Sequence, residues 1–269
     1  MRLISPAGRT VTGLADWPRP KKEYQWAPGR SAMEQARRWL SVGGPAMPPE
    51  IHTLLMSVEE TRDLVIDDVI PEFVTSLPEA GEGRNHDILI RAHRRGFRIT
   101  IGIEAKTDEP FDEYVGPRCL AAENRSPRTR VPMRTAKLLE HLFGRICDPQ
   151  REPFCSLRYQ LVMAAAACAA QAHRDRADRA VFVVHEIPTW KCKSAKLTQN
   201  HRDFAEFIAL VFGGASADVT DGQLYGPILL SSVGYTRTPV LLYAGKASSA
   251  FVAEWRPNVI SAGSPAESQ

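Results

Sequence analysis

Asp87, Glu104 and Lys106 stand on two segments that alternate apolar and polar residues. From His86 to Ala92, Ile88 and Ile90 share one face, and Asp87, Leu89 and Arg91 the other. From Phe97 to Lys106, Phe97, Ile99, Ile101 and Ile103 oppose Arg98, Thr100, Gly102 and Glu104. His93-Arg94-Arg95-Gly96 supplies a turn between them, so the pair reads as a β-hairpin. With the turn centred between Arg95 and Gly96, Asp87 faces Glu104, and directly opposed Cβ atoms lie roughly 4.5–5.5 Å apart. Lys106 shares that face, while Ile101, Ile103 and Ala105 point into the core; a slip of one residue would undo the arrangement. Adjacent carboxylates repel unless a cation neutralises them, and a hard divalent ion does so through oxygen ligands. Such an ion acidifies water and bridges a phosphate oxygen, and a nearby lysine orients the water or steadies growing negative charge. The chemistry implied is phosphodiester hydrolysis. The plainer alternative is an exposed cross-strand acid pair with Lys106 as its salt-bridge partner.

The elements around the hairpin follow from periodicity. Residues 1–30, rich in Pro, Gly, Arg and Lys, read as an extended arm packing through Trp17, Tyr24 and Trp26. Ser31 and Glu34 have capping-box spacing at the start of a helix that stops before Gly43-Gly44. From Glu50 to Val74 apolar residues recur at helical spacing, which predicts one or two helices. A mixed loop follows the hairpin, then helices over Met133–Arg145 and Leu157–Arg174, the second rich in alanine and able to pack close to a sheet. Ala180–Glu186 reads as a buried strand, Asn200–Phe212 as a helix with Asn200 at its N-cap, and Ile228–Leu230 and Val240–Tyr243 as late strands. Residues 31–257 form one domain, and 258–269 a polar, disordered tail.

Charge is distributed unevenly although its sum is only +3. Arg118, Arg125, Arg128, Arg130, Arg134 and Lys137 face a single acid, Glu123, and Lys191, Lys193 and Lys196 form a second run. Either cluster is a solvated loop or an anion-binding surface. The five cysteines make no C-x-x-C pair, which speaks against a disulfide framework or zinc ribbon and for a reducing cytoplasm. No apolar run is long and uninterrupted enough to span a membrane. The nucleotide-binding G-x-x-x-x-G-K-[ST], the zinc-protease H-E-x-x-H and the hydrolase G-x-S-x-G are all missing.

His86-Asp87, a short hairpin, then Glu104-Ala105-Lys106 followed by an alanine-rich helix and a strand resemble the PD-(D/E)XK nuclease superfamily across roughly residues 31–186. The proline of that motif is His86 here. The resemblance implies an α/β, restriction-endonuclease-like core, with a central mixed β-sheet flanked by helices. It implies a metal-dependent nuclease, an endodeoxyribonuclease using Mg²⁺ or Mn²⁺. Asp87, Glu104 and the Ala105 carbonyl would hold the metal, and Lys106 would serve the attacking water. Glu34 and Gln160 would be accessory residues, although a capping box explains Glu34 and a polar helix flank explains Gln160. DNA would cross the sheet face and meet the basic loop; cutting both strands would call for a homodimer or sequential nicking. His86 and His93 are proton carriers or merely packed, and His185-Glu186 is a weaker pair of the same kind. The rival expectation is an inactive nuclease-like module for nucleic-acid binding or assembly.

Overall fold

The computed structural model describes residues 1–40, 44–77, 83–230 and 239–253. Seven strands form one mixed sheet: β1 (Arg2–Leu3), β2 (Val65–Thr75), β3 (Arg84–Arg94), β4 (Phe97–Lys106), β5 (Arg179–Glu186), β6 (Leu224–Leu230) and β7 (Val240–Ser248). Their spatial order is β1-β2-β3-β4-β5-β7-β6. β2, β3 and β4 run antiparallel, whereas β4, β5 and β7 run parallel, as the crossover between β4 and β5 requires. Six helices flank the sheet: α1 (Ser31–Trp39), α2 (Pro49–Met56), α3 (Val115–Arg125), α4 (Val131–Phe143), α5 (Tyr159–Arg174) and α6 (Ser194–Phe212). The expected α/β class with a central mixed sheet is what the chain adopts.

The isoleucines of the hairpin decide which way it faces. Ile88, Ile90, Ile99, Ile101 and Ile103 are buried with Val181 and Val183 beneath Trp17, Trp39, Ile51 and Leu54 of the arm, α1 and α2. Each such side chain contributes about 1.5–3 kcal/mol of burial, enough together to fix the register. Arg95 and Gly96 both adopt positive φ, 47° and 87°, as a two-residue type I′ turn demands. The resulting pairs, Arg94 with Phe97 through Ile88 with Ile103, are the expected ones. On the opposite face the alanines of α5 allow a close approach to β4 and β5, and Phe182, Val184, Leu242 and Ala244 join that second core.

Several local expectations are overturned. Residues 65–75 are strand β2, not helix, because Val65, Ile66, Val69, Ile70 and Val74 are β-branched and find a partner in β3. Pro71 is tolerated because β1 pairs only with Asp68 and Val69, leaving the proline on an open edge. The mixed loop contains α3, whose Gly116-Pro117 falls in the first turn, where proline costs no hydrogen bond. Ser31 is not a cap: Arg30 takes that position without a side-chain cap bond. α6 begins six residues before Asn200, which lies mid-helix and donates to the Glu109 carbonyl. Within the arm, Trp17 is buried and Trp26 half-buried, but Tyr24 is exposed, and Arg2–Leu3 join the sheet as β1. The late strands run longer than expected. Gly43 and the tail 258–269 lie outside the described residues. No helix among the described residues is long and apolar enough to cross a membrane, and all five cysteines are unpaired.

Candidate active site

Three carboxylates occupy consecutive strands. The register that pairs Pro71 with Ile88 and Phe73 with His86 sets Glu72 opposite Asp87. The β3–β4 pairing runs as far as Ile88 with Ile103, and Asp87 and Glu104 are the residues that come directly after that last pair. Glu72 has a left-handed backbone, φ 53°, which is uncommon for a residue with a side chain. These acids line one cleft of about 360 Å³ with Arg84, Lys106 and Gln160.

Each acid is held differently. Asp87 Oδ2 accepts the Ala105 N–H at 2.6 Å. The N–H and C=O of an extended residue point to the same side, so the Ala105 carbonyl also faces the β3 edge where Asp87 sits. Glu104 is buried and takes Lys106 Nζ at 3.2 Å on Oε1. Gln160 donates to the same oxygen, and Arg84 grips Oε2. Glu72 accepts Asn85 Nδ2 at 2.6 Å. Gln160 Oε1 takes the Asp112 N–H at 3.2 Å, which ties the start of α5 to the loop after β4. Lys106 also lies 5.6 Å from the Phe111 ring centroid.

The electrostatics follow from that division. Burial, then the charges of Glu104 and Glu72, hold the Asp87 carboxyl well above its usual range. Glu72 is pushed up to about 7 by burial, with Glu104 adding to the effect against the Asn85 hydrogen bond. Glu104 is equally desolvated, yet the Arg84 and Lys106 charges outweigh burial and hold it below the usual value. Arg84 is raised although burial opposes it, because Glu104 and Asp87 face it. Among the described residues, no group of three or more His, Cys, Asp or Glu side chains is arranged to hold a metal ion.

The remaining expected residues divide. Gln160 reaches the acids. Glu34 does not line the cleft: its buried carboxylate accepts the Gly29 N–H at 2.7 Å and Arg37 at 2.8 Å. Arg118 lines an adjoining cleft and pairs with Asp112 at 2.8 Å. Arg125, Arg128 and Arg130 are exposed around the α3–α4 connection, Arg134 lies on α4, and none of the four lines either cleft. His86 is packed, bonded to Thr75 at 3.1 Å and driven to about 3, chiefly by burial. His93 is exposed, 3.0 Å from Asp67. His185 is buried among Gln35, Glu50 and Ser249.

Glu72 and Arg84 were not singled out from the sequence. Glu72 becomes visible once β2 is read as a strand. Arg84 has no such signal, since a period of two puts it on the opposite face from Asp87.

A family described as a domain of unknown function (DUF6946) matches residues 10–241. No curated protein and no solved structure gives a match.

Proposed function

The chain belongs to the DUF6946 family, whose description carries no chemistry, and from the cleft we propose a metal-dependent phosphodiester hydrolase, a nuclease acting on DNA and akin to the PD-(D/E)XK superfamily. The observation that carries this reading is the row of Glu72, Asp87 and Glu104 across three strands, with Lys106 and Gln160 in the same cleft.

The donors suit a hard divalent ion, Mg²⁺ or Mn²⁺: Asp87 and Glu104 would hold it, with the Ala105 carbonyl as a third oxygen. Burial first, and then the neighbouring carboxylate charge, raises Asp87 and Glu72, and a divalent ion would offset both effects. When bound, such an ion supplies Lewis-acid polarisation and charge neutralisation at a phosphate. Lys106, buried against Glu104, would orient water and offset charge growing on the phosphoryl oxygens. Gln160 holds the Glu104 carboxylate in position through its own tie to Asp112. Arg84 brings a planar guanidinium suited to a phosphate's paired oxygens.

One observation favours a second reading, a nuclease-like binding or assembly module without catalysis: both Glu104 oxygens are already engaged, by Arg84 on one side and by Lys106 and Gln160 on the other. The test is incubation of the purified chain with supercoiled plasmid, linear duplex and single-stranded DNA in Mg²⁺, Mn²⁺ or EDTA, beside Asp87→Asn and the double variant Glu104→Ala/Lys106→Ala. Metal-dependent cleavage lost in the variants supports the hydrolase. DNA binding without cleavage selects the module.

A further inference from the structure

Buried charge continues along the sheet beyond the acid row. Lys106 of β4 is in parallel register with Glu186 of β5, and Val184 of β5 with Lys246 of β7. Lys106 shares its face with Glu104 and with Gly102, which packs on Cys168 of α5. Glu186 shares its face with Phe182 and Val184, and Lys246 with Leu242 and Ala244, all part of the α5 core. Glu104, Lys106, Glu186 and Lys246 therefore project from one side of the sheet, acid and base alternating from β4 to β7. None is more than 5% exposed.

The pairing within this row is incomplete. Lys246 Nζ lies 3.2 Å from Glu186 Oε2 and 3.1 Å from Asp221 Oδ1. Glu186 Oε1 is buried with no hydrogen-bond partner. A carboxylate oxygen deprived of both water and a donor is costly to keep. Lys106 has donors to spare: an ammonium carries three N–H groups, and one goes to Glu104 Oε1 at 3.2 Å. Adjacent strands lie about 4.7–4.9 Å apart, a gap that a lysine's flexible four-carbon stem spans. One lysine thus has two buried acids beside it, Glu104 two places back on its own strand and Glu186 across on the next.

The second acid answers a difficulty in the cleft. Glu104 has little to offer an ion while Arg84 holds one oxygen and Lys106 and Gln160 share the other. A carboxylate oxygen has two lone pairs, so departure of Lys106 would free one on Oε1. A buried ammonium that merely lost its carboxylate would be left unpaired, which is strongly unfavourable. We propose that Glu186 is a positioning residue for Lys106: the ammonium exchanges Glu104 Oε1 for Glu186 Oε1 as a divalent ion is bound, which opens Glu104 as a ligand and keeps the lysine paired. This deepens the hydrolase reading and rests on its metal at Glu104.

Binding is measured without turnover, by isothermal titration of Mg²⁺ into the full chain, with thermal melts to confirm that each variant is folded. Glu186→Gln weakens Mg²⁺ binding about 10–100-fold, the usual effect of losing a residue that orients a site from behind. The loss vanishes in a Lys106→Met background, where no ammonium needs a second partner, and that non-additivity identifies the pair. Lys246→Met, which leaves Glu186 in place, binds Mg²⁺ at least as tightly as the wild type. Because Glu186→Gln also strips Lys246 of a partner, Glu186→Gln/Lys246→Met removes that pair together and shows the same loss. A double variant that binds like the wild type overturns the exchange. So does a Glu186→Gln loss that persists without Lys106, or an equal loss in Lys246→Met alone. Mg²⁺ binding and DNA cleavage that are both indifferent to Glu186 leave the hydrolase standing and sink the exchange. A Lys106-dependent effect of Glu186 on Mg²⁺ binding, with no DNA cut in any metal, upholds the exchange and sinks the hydrolase. A wild type that takes up neither Mg²⁺ nor Mn²⁺ overturns both.

Discussion

Arg84 grips one oxygen of Glu104 while Lys106 Nζ stands 3.2 Å from the other, so a single buried carboxylate carries two cations. Replacing Arg84 by methionine keeps most of the side-chain volume and removes one of them. Breaking a buried pair costs about 3–5 kcal/mol, and with Lys106 still present the loss here is on the order of 2 kcal/mol. A divalent ion would replace the missing charge, so thermal melts of Arg84→Met should fall in EDTA and recover with Mg²⁺ more than the wild type gains. Equal losses in EDTA and Mg²⁺ would argue that no cation takes that place.

Asp87→Ala tests the metal from the other side. A ligand that binds only the folded chain stabilises it by about 2.7 kcal/mol at a hundredfold excess over its Kd. Mg²⁺ should therefore raise the melting temperature of the wild type and leave Asp87→Ala unchanged. A matching rise in both would place the ion elsewhere.

Gly102 of β4 packs against Cys168 of α5. A Cβ there would lie 2.9 Å from His86 Nδ1 and 3.2 Å from Cys168 Cβ, both in packed surroundings. Gly102→Ala should cost about 1–3 kcal/mol in urea unfolding, the range for overpacking. It should also disturb β4 two residues before Glu104. A neutral result would mean the α5 contact is softer than its geometry.

The hairpin was legible because three signals agreed: alternation, a two-residue turn with glycine, and isoleucines on one face only. β2 was not. Leu64, Val65 and Val69 fit a helical spacing as readily as a strand, and only pairing with β3 decides between them. Losing the strand lost Glu72 with it. Helix α3 was hidden by Gly116-Pro117, which look like breakers until they fall in a first turn. The contacts of His185 with Glu50 and Ser249 span 135 and 64 positions, so no local pattern holds them.

Glu50 gives the chain an acid limb. Burial opposes its ionisation, but the hydrogen bonds from His185 and Ser249 prevail and hold it at about 2, against an ordinary 4.5. Because the folded value is the lower, the contribution is whole above pH 4.5 and drains away as pH falls towards about 2. The stability gap between wild type and Glu50→Gln should be widest near neutrality and shrink through that window, read as melting temperature against pH. A gap that stays constant with pH would remove Glu50 as the source.

Gln160→Leu removes both the Glu104 contact and the acceptor for the Asp112 N–H. The lost hydrogen bonds cost about 1 kcal/mol in stability. The loss of a residue that orients a ligand costs about 10–100-fold in metal affinity or rate. Isothermal titration with Mg²⁺ separates the two; unchanged affinity and cleavage would leave Gln160 a structural tie alone.

The arm that walls the cleft is fastened at both ends. At its start, β1 pairs with β2, Arg2 meets Asp68 at 2.7 Å, and Val11 and Trp17 are buried. At its finish, Gly29 is held by Glu34, and Arg30 by Asp108 at 2.9 Å. Loss of the first strand alone would leave six strands and the acid row in place, and Lys21 and Lys22, which line the cleft, would still be tethered on both sides, by Trp17 and by Arg30. The wall is therefore part of the cleft as folded and not a flap laid over it.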